Sequence, residues 1–307
     1  MGYGCALMAA LLFGANGSVA KVVLGAGITP AQLTLFRSLS AALVGGAVLL
    51  ATDRGALRVS RRELVNLAVL GIVGVALMQW FYAIAIDRLP VGIALLIEYT
   101  AVLMVAVVGR VFFAEEVKPR LWLAIGCVLV GLAVVAEIWS SDLPPVGIAV
   151  AGLAALAFAI YLLLGERLVT KTSPLAAAFW SMLFAALFWL AFSGWWNIDP
   201  ATLTHRVSLG GHLSGTVLPV WALVGYVMAL GSFLPFLLSF VAIGRLRATP
   251  AGIVATTEVV FGFAVAWLWL GEALDTAQLI GAFIVLAGVG VAQTARNTVQ
   301  PAVALID

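Results

Sequence analysis

Charge is what this sequence has least of: Asp, Glu, Lys and Arg together make up 10% of its 307 residues. So few charged side chains cannot keep the surface of a water-soluble chain of this length polar, which argues against a cytosolic enzyme and a secreted binding module. Cysteine is nearly absent too. Cys5 and Cys127 each sit inside an apolar run, where a thiol acts as a small buried hydrophobe, so no disulfide framework is implied. The basic residues form no long run of the kind that tracks phosphates, and nucleic acid is not an expected partner. A Gly-Lys-Ser/Thr loop to cradle phosphates is missing as well, which excludes ATP as the direct energy source. The two histidines, His205 and His212, have no cysteine nearby, so neither a metal site nor a cofactor is expected. Lacking a basic n-region and a small-residue cleavage site, the N-terminal apolar run reads as a retained span.

What the chain has instead is apolar length. Residues of the set AVILMFWYC fill 64% of it and its mean hydropathy is +1.16. Spanning helices need roughly 20 mainly apolar residues, and such runs lie at about 4 to 24, 31 to 52, 64 to 86, 91 to 113, 121 to 139, 146 to 165, 175 to 195, 218 to 243, 251 to 270 and 277 to 295. Runs apolar on every face, such as Leu123 to Ala136, are helices and not barrel strands. The expected fold is therefore an all-α membrane protein of ten transmembrane helices. Prolines punctuate the breaks at Thr29-Pro30, Leu89-Pro90, Pro144-Pro145, Ser173-Pro174 and Thr249-Pro250, each suited to a helix's first turn. One side of the membrane receives Arg54, Arg58, Arg61, Arg62, Lys118, Arg120, Arg167, Lys171, Arg245, Arg247 and Arg296, and the other only Arg88 and Arg206. That imbalance places both termini in the cytoplasm of a multi-pass inner-membrane protein. The longest loop, about 196 to 217, falls outside, an interfacial segment anchored by Trp195 and Trp196.

The two halves repeat. Phe13 corresponds to Phe158, Thr29-Pro30-Ala31 to Ser173-Pro174-Leu175, and Pro90-Val91-Gly92-Ile93 with Glu98 to Pro250-Ala251-Gly252-Ile253 with Glu258. Ala114-Glu115 then leads to Ile125-Gly126 and Gly131, as Gly271-Glu272 leads to Ile280-Gly281 and Gly288. Units with an odd number of spans make the second copy inverted, the architecture of secondary transporters. The expected boundaries are 1–140 for the first five-helix repeat, 146–296 for the second, and 297–307 for a cytoplasmic tail. With these landmarks the chain resembles the EamA branch of the drug/metabolite transporter superfamily over nearly its whole length. Within that branch, the segment Pro90 to Thr100 is similar to one found in bacterial amino-acid exporters, those for aromatic amino acids included. The resemblance implies export of a small organic solute through a central cavity, with the fifth and tenth helices peripheral.

Ionisable groups inside spans carry the sharpest physical signal, because a charge at the helix centre costs roughly 2.5 to 3.5 kcal/mol. Arg37 and Glu98 both lie about 10 Å inside the outer ends of their helices, and equal depth permits an ion pair. Glu98 either binds a substrate ammonium or titrates as a proton carrier, or it forms a structural clamp with Arg37. Glu258 is its inverted counterpart, without an obvious partner because Ser181 stands where the other half has Arg37. Substrate-cavity candidates are Asn16, Gln79, Tyr82, Glu98, Tyr99, Tyr161 and Trp180, whose aromatic faces and polar tips suit a flat side chain and an ammonium. The bland alternative for each aromatic is packing. Lys21 snorkels to the interface, caps outer helix ends or lines the cavity, and Trp267 and Trp269 read as interface-belt residues. Glycines such as Gly126, Gly131, Gly281, Gly288 and Gly290 permit close helix packing. Pro235, well inside the eighth span, frees the carbonyl near Gly231 and is the candidate hinge. The third span, with Leu77 and Met78 in the corresponding neighbourhood, should stay straight.

The function these residues support is a secondary transporter exporting amino acids, aromatic or otherwise apolar, by alternating access. Its partners are the small-molecule substrate and the lipid bilayer, with no oligomer required. Export of cationic drugs or other small metabolites is the alternative among carriers. An intramembrane enzyme lacks a catalytic constellation, and a channel lacks a filter loop or rings of one charge. Phosphorylated solutes would call for more than Lys21 and Arg37.

Overall fold

The structure is a computed structural model that describes residues 2–112, 120–135, 143–168, 172–246 and 254–295. Glu115, Lys118, Lys171, Arg247, Pro250, Gly252, Arg296 and the tail 297–307 lie outside the described residues. Among the described residues, ten helical rods follow one another: α1 (Gly2–Gly25), α2 (Pro30–Thr52), α3 (Arg61–Arg88), α4 (91–112), α5 (Arg120–Val135), α6 (Pro145–Leu168), α7 (Pro174–Phe192), α8 (220–246), α9 (Thr257–Leu270) and α10 (Thr276–Ala295). Six of them, α1, α2, α3, α6, α7 and α8, contain runs long and apolar enough to cross a membrane, and the apolar stretches of the other four are shorter. The molecule is accordingly an all-α membrane protein in its spanning part.

Local chemistry explains the helix starts. Thr29 caps α2 through a reciprocal box in which its hydroxyl accepts from the Gln32 N–H while the Gln32 side chain accepts from the Thr29 N–H, with Pro30 in the first turn. Ser173 caps α7 in the same way at one bond, ahead of Pro174. Ser60 and Glu63 form a second box at the start of α3.

Packing exchanges partners between the halves of the chain. Helix α1 lies against α8 and α9, whereas α6 lies against α3 and α4; α2 packs on α7, and α5 on α10. Glycines set how close these rods come, though only some of those picked out. A Cβ at Gly131 would stand 2.8 Å from the Gly281 carbonyl oxygen, and one at Gly288 would stand 3.0 Å from that of Ala124, so α5 and α10 touch there backbone to backbone. Gly126 and Gly290 face open space. The outer surfaces of this pair, including Trp122, Leu123, Leu279, Ile280 and Phe283, are exposed apolar side chains of the kind that face lipid.

Two expectations need correction. Helix α8 does widen into a π-helical turn at Ala229–Phe233, just before Pro235, but α3 has one too, over Leu70–Leu77, without any proline. Glycine contact accompanies it: a Cβ at Gly71 would collide with the Ser181 carbonyl oxygen of α7, and one at Gly74 would stand 3.0 Å from the Tyr161 Cα of α6. The contrast between a bent eighth and a regular third helix is therefore absent. The loop before α8 holds a short helix at Pro200–Thr204 and an antiparallel pair, β1 (Arg206–Ser208) and β2 (Val217–Pro219). Trp269 holds this loop down by donating to the Leu209 carbonyl at 2.9 Å, so it is a tether and not a belt residue. Trp267 is exposed as a belt residue would be.

Candidate functional site

Two helices are interrupted where the repeated motif places its glutamates. Helix α4 runs Val91–Glu98, turns at Tyr99 and Thr100, and resumes at Ala101. On the other side a turn at Thr256 separates Val254 and Ala255 from α9, two residues before Glu258. Hydroxyls stabilise both breaks: Thr100 donates to the Ile97 carbonyl at 2.7 Å and Thr257 to that of Val254 at 2.6 Å. Irregular backbone inside a membrane protein persists only where protein or a cavity satisfies it, and broken helices of this sort mark binding sites at transporter repeat interfaces. The threonines are a signal that the sequence contained and that hydropathy ignores.

Around the breaks the fold gathers buried polar side chains from α1, α2, α3 and α4: Asn16, Arg37, Gln79, Tyr82, Glu98 and Tyr99 are each at most 7% exposed. Gly17 makes room for Tyr82, since a Cβ there would stand 2.6 Å from the Tyr82 hydroxyl. Arg37, Tyr82, Glu98 and Glu258 lie within electrostatic reach of one another. Yet Arg37 does not pair with Glu98. Its Nη2 donates instead to the Gly231 carbonyl of α8 at 3.4 Å, while Glu98 makes no hydrogen bond among the described residues. Equal depth fixed the height of the two groups and not their direction around the helix. Arg37 Nε, Asn16 Oδ1, Gln79 Oε1 and Tyr82 Oη are also buried without partners among the described residues. Leaving such atoms unsatisfied costs about 1 to 3 kcal/mol apiece, a cost that a bound polar ligand removes.

Glu258, by contrast, does have a partner. The Tyr99 hydroxyl donates to its Oε2 at 2.7 Å and lies 3.1 Å from the Ala255 carbonyl. Tyr99 in turn meets Phe158 edge-on at 5.6 Å, and Phe158 lies 6.1 Å from Tyr161, so these rings are largely occupied with one another. Trp180 is not brought to this group: it stacks on Phe184 and packs among Leu67, Leu70, Leu168 and Ala177.

Lys21 joins helix ends on one side of the molecule. Its ammonium meets Glu272 Oε1 at 2.5 Å and the Leu89 carbonyl at 3.0 Å, and Glu272 Oε2 accepts the Val91 N–H at 2.9 Å. One glutamate in the α9–α10 turn therefore joins α1 to the first residue of α4. Gly271 enables the turn by adopting a φ of +72°, which few other residues adopt without strain.

Comparison with known proteins places this geometry. Residues 1–136 and 145–293 match the family described as EamA-like transporter family. The threonine/homoserine exporter RhtA of Escherichia coli (strain K12) is 25% identical over 72% of this chain and 68% of its own length. An uncharacterized transporter, YdfC of Bacillus subtilis (strain 168), is 23% identical over 86% of this chain and 81% of its own. A crystal structure titled only as that of a protein shares the fold, with a TM-score of 0.63 at 19% identity over 95% of this chain and 96% of its own.

Proposed function

The chain belongs to the EamA-like transporter family, and from that premise we propose that it exports neutral amino acids by alternating access through the polar cluster between α1, α2, α3, α4, α8 and α9. The ten rods then form two inverted five-helix repeats with both termini in the cytoplasm of a bacterial inner membrane.

One observation carries the substrate class. Arg37, a base, and Glu98, an acid, are buried within electrostatic reach of one another, yet neither has an ionic partner among the described residues. A ligand carrying both charges satisfies both. A cationic drug would engage only the carboxylate, and a phosphorylated solute would leave Glu98 opposed to it. Aromatic side chains suited the sequence; the atoms with unused hydrogen-bonding capacity favour a small polar one. Asn16, Gln79 and Tyr82 supply acceptors and a hydroxyl, while the Tyr99–Phe158–Tyr161 row is spent on itself. RhtA, a threonine/homoserine exporter, agrees with a hydroxylated substrate.

Efflux from cells tests this. Bacteria expressing the chain and loaded with dipeptides of threonine, homoserine or phenylalanine should release the hydroxylated amino acids several-fold faster than vector controls. Faster release of phenylalanine alone returns the aromatic reading, and release of none of them overturns amino-acid export.

A further inference from the structure

The amino-acid reading requires Arg37 to keep its guanidinium available although Glu98 and Glu258 lie within electrostatic reach of it. The fold contains a device that does this. Pro235 has no backbone N–H, so the Gly231 carbonyl one turn earlier lacks its ordinary helical donor. Arg37 Nη2 donates to that carbonyl, and the Ser40 hydroxyl, one turn further along α2, lies 3.0 Å from both the Met228 carbonyl of α8 and the Arg37 carbonyl of its own helix. These contacts run from α2 to α8 within and just before its widened turn, holding the guanidinium against α8 and off α4, where Glu98 sits. Asn16 of α1 also comes up against Gly231, where a Cβ would collide with its Oδ1. The Nε of Arg37 is left with no bond among the described residues.

The other half of the chain serves as a control. Gly71 precedes Pro90 by as many residues as Gly231 precedes Pro250, and by the same count Val75 stands in the place of Pro235. Gly71 meets α7 at Ser181, the residue in Arg37's place. There residue 75 is a valine with a backbone N–H, inside the wide turn Leu70–Leu77, and the facing serine turns its hydroxyl back to its own helix, at the Ala178 carbonyl. Proline and arginine thus occur together at one of the two related contacts and are both missing from the other, although they are far apart in sequence.

We infer that Pro235 is a positioning residue: by leaving the Gly231 carbonyl open it parks Arg37 away from Glu98 and reserves the guanidinium for the α-carboxylate of the substrate. This rests on the amino-acid reading. Its test is a ratio of affinities, measured by competition against labelled threonine on the purified full chain. The competitors are threonine itself and 1-aminopropan-2-ol, which is threonine without its carboxylate. Wild type should bind threonine roughly tenfold or more tightly than the amine, the worth of a charge-assisted contact. Pro235→Ala and Pro235→Gly both restore the N–H, satisfy Gly231 and release Arg37 toward Glu98, so in both the ratio should collapse toward one. Ser40→Ala, which loosens the same attachment without touching the backbone, should move it in the same direction. A proline acting only as a flexible hinge predicts that glycine preserves what alanine loses, and a merely structural proline predicts both affinities falling by one factor. Either of those patterns, or an unchanged ratio, overturns the inference. Failure of wild type to bind threonine, homoserine or phenylalanine overturns the amino-acid reading itself, separately and before any variant is compared.

Discussion

Glu98 and Glu258 occupy equivalent places in the repeated motif, and their surroundings separate them. Glu258 accepts a hydrogen bond from Tyr99, which a glutamine at 258 also accepts, so Glu258→Gln should leave transport within about threefold of wild type. Glu98 has no such substitute partner, and Glu98→Gln should slow transport per folded molecule by roughly tenfold or more. Equal rates for wild type and Glu98→Gln in liposomes would remove Glu98 from the mechanism. Lower expression and melting temperature at an unchanged rate would make it a structural group instead. At the end joined by Lys21, Glu272→Gln keeps an acceptor for the Val91 N–H and loses only the charge facing Lys21, whereas Glu272→Ala loses both. Melting temperatures should therefore fall in the order wild type, glutamine, alanine, the last step reflecting a lost helix cap of about 0.5 to 2 kcal/mol. A glutamine variant as unstable as the alanine variant would show that the cap contributes nothing. The sequence made these acids legible through the cost of burying charge. Their partners were hidden, because depth along a helix is readable from spacing and direction around it depends on neighbours many residues away. Lys21 finding Glu272, and Arg37 choosing Gly231 over Glu98, are both of that kind.

Helices were legible where hydropathy and caps agree, as at Thr29-Pro30 and Ser173-Pro174. Their irregularities were not. The break after Glu98 and the turn at Thr256 depend on hydroxyls bonding backwards, and the wide turn of α3 accompanies contacts at Gly71 and Gly74 that no one-helix pattern contains. Glycine gives a direct contrast at this scale. Gly131 and Gly126 share helix α5, but a Cβ at the first would press on the α10 backbone while one at the second meets nothing within 4 Å. Gly131→Ala should cost about 1 to 3 kcal/mol by overpacking, and Gly126→Ala should be neutral or stabilise by up to about 1 kcal/mol. Unfolding curves in detergent check both. Equal stabilities for the two variants would mean that α5 and α10 are not held at the distance described.

For the molecule as a whole, the exchange of partners between halves, α1 with α8 and α9 against α6 with α3 and α4, is the contact pattern an inverted duplication produces. The polar cluster lies where these exchanged contacts meet. Its side chains are buried and Lys21 and Glu272 join the helices at one end of it, so this conformation is closed toward that side. A carrier must open this closure once per cycle, which a channel need not do. The most direct test of the central claim, a carrier whose site is built for a zwitterion, is counterflow in proteoliposomes. Labelled threonine outside should accumulate transiently in vesicles preloaded with unlabelled threonine, saturably and without ATP. Preloading instead with 1-aminopropan-2-ol, or with 3-hydroxybutyrate, which lacks the amino group, should drive little or none. Counterflow driven equally well by either single-charge analogue, or none with any amino acid, would contradict the account.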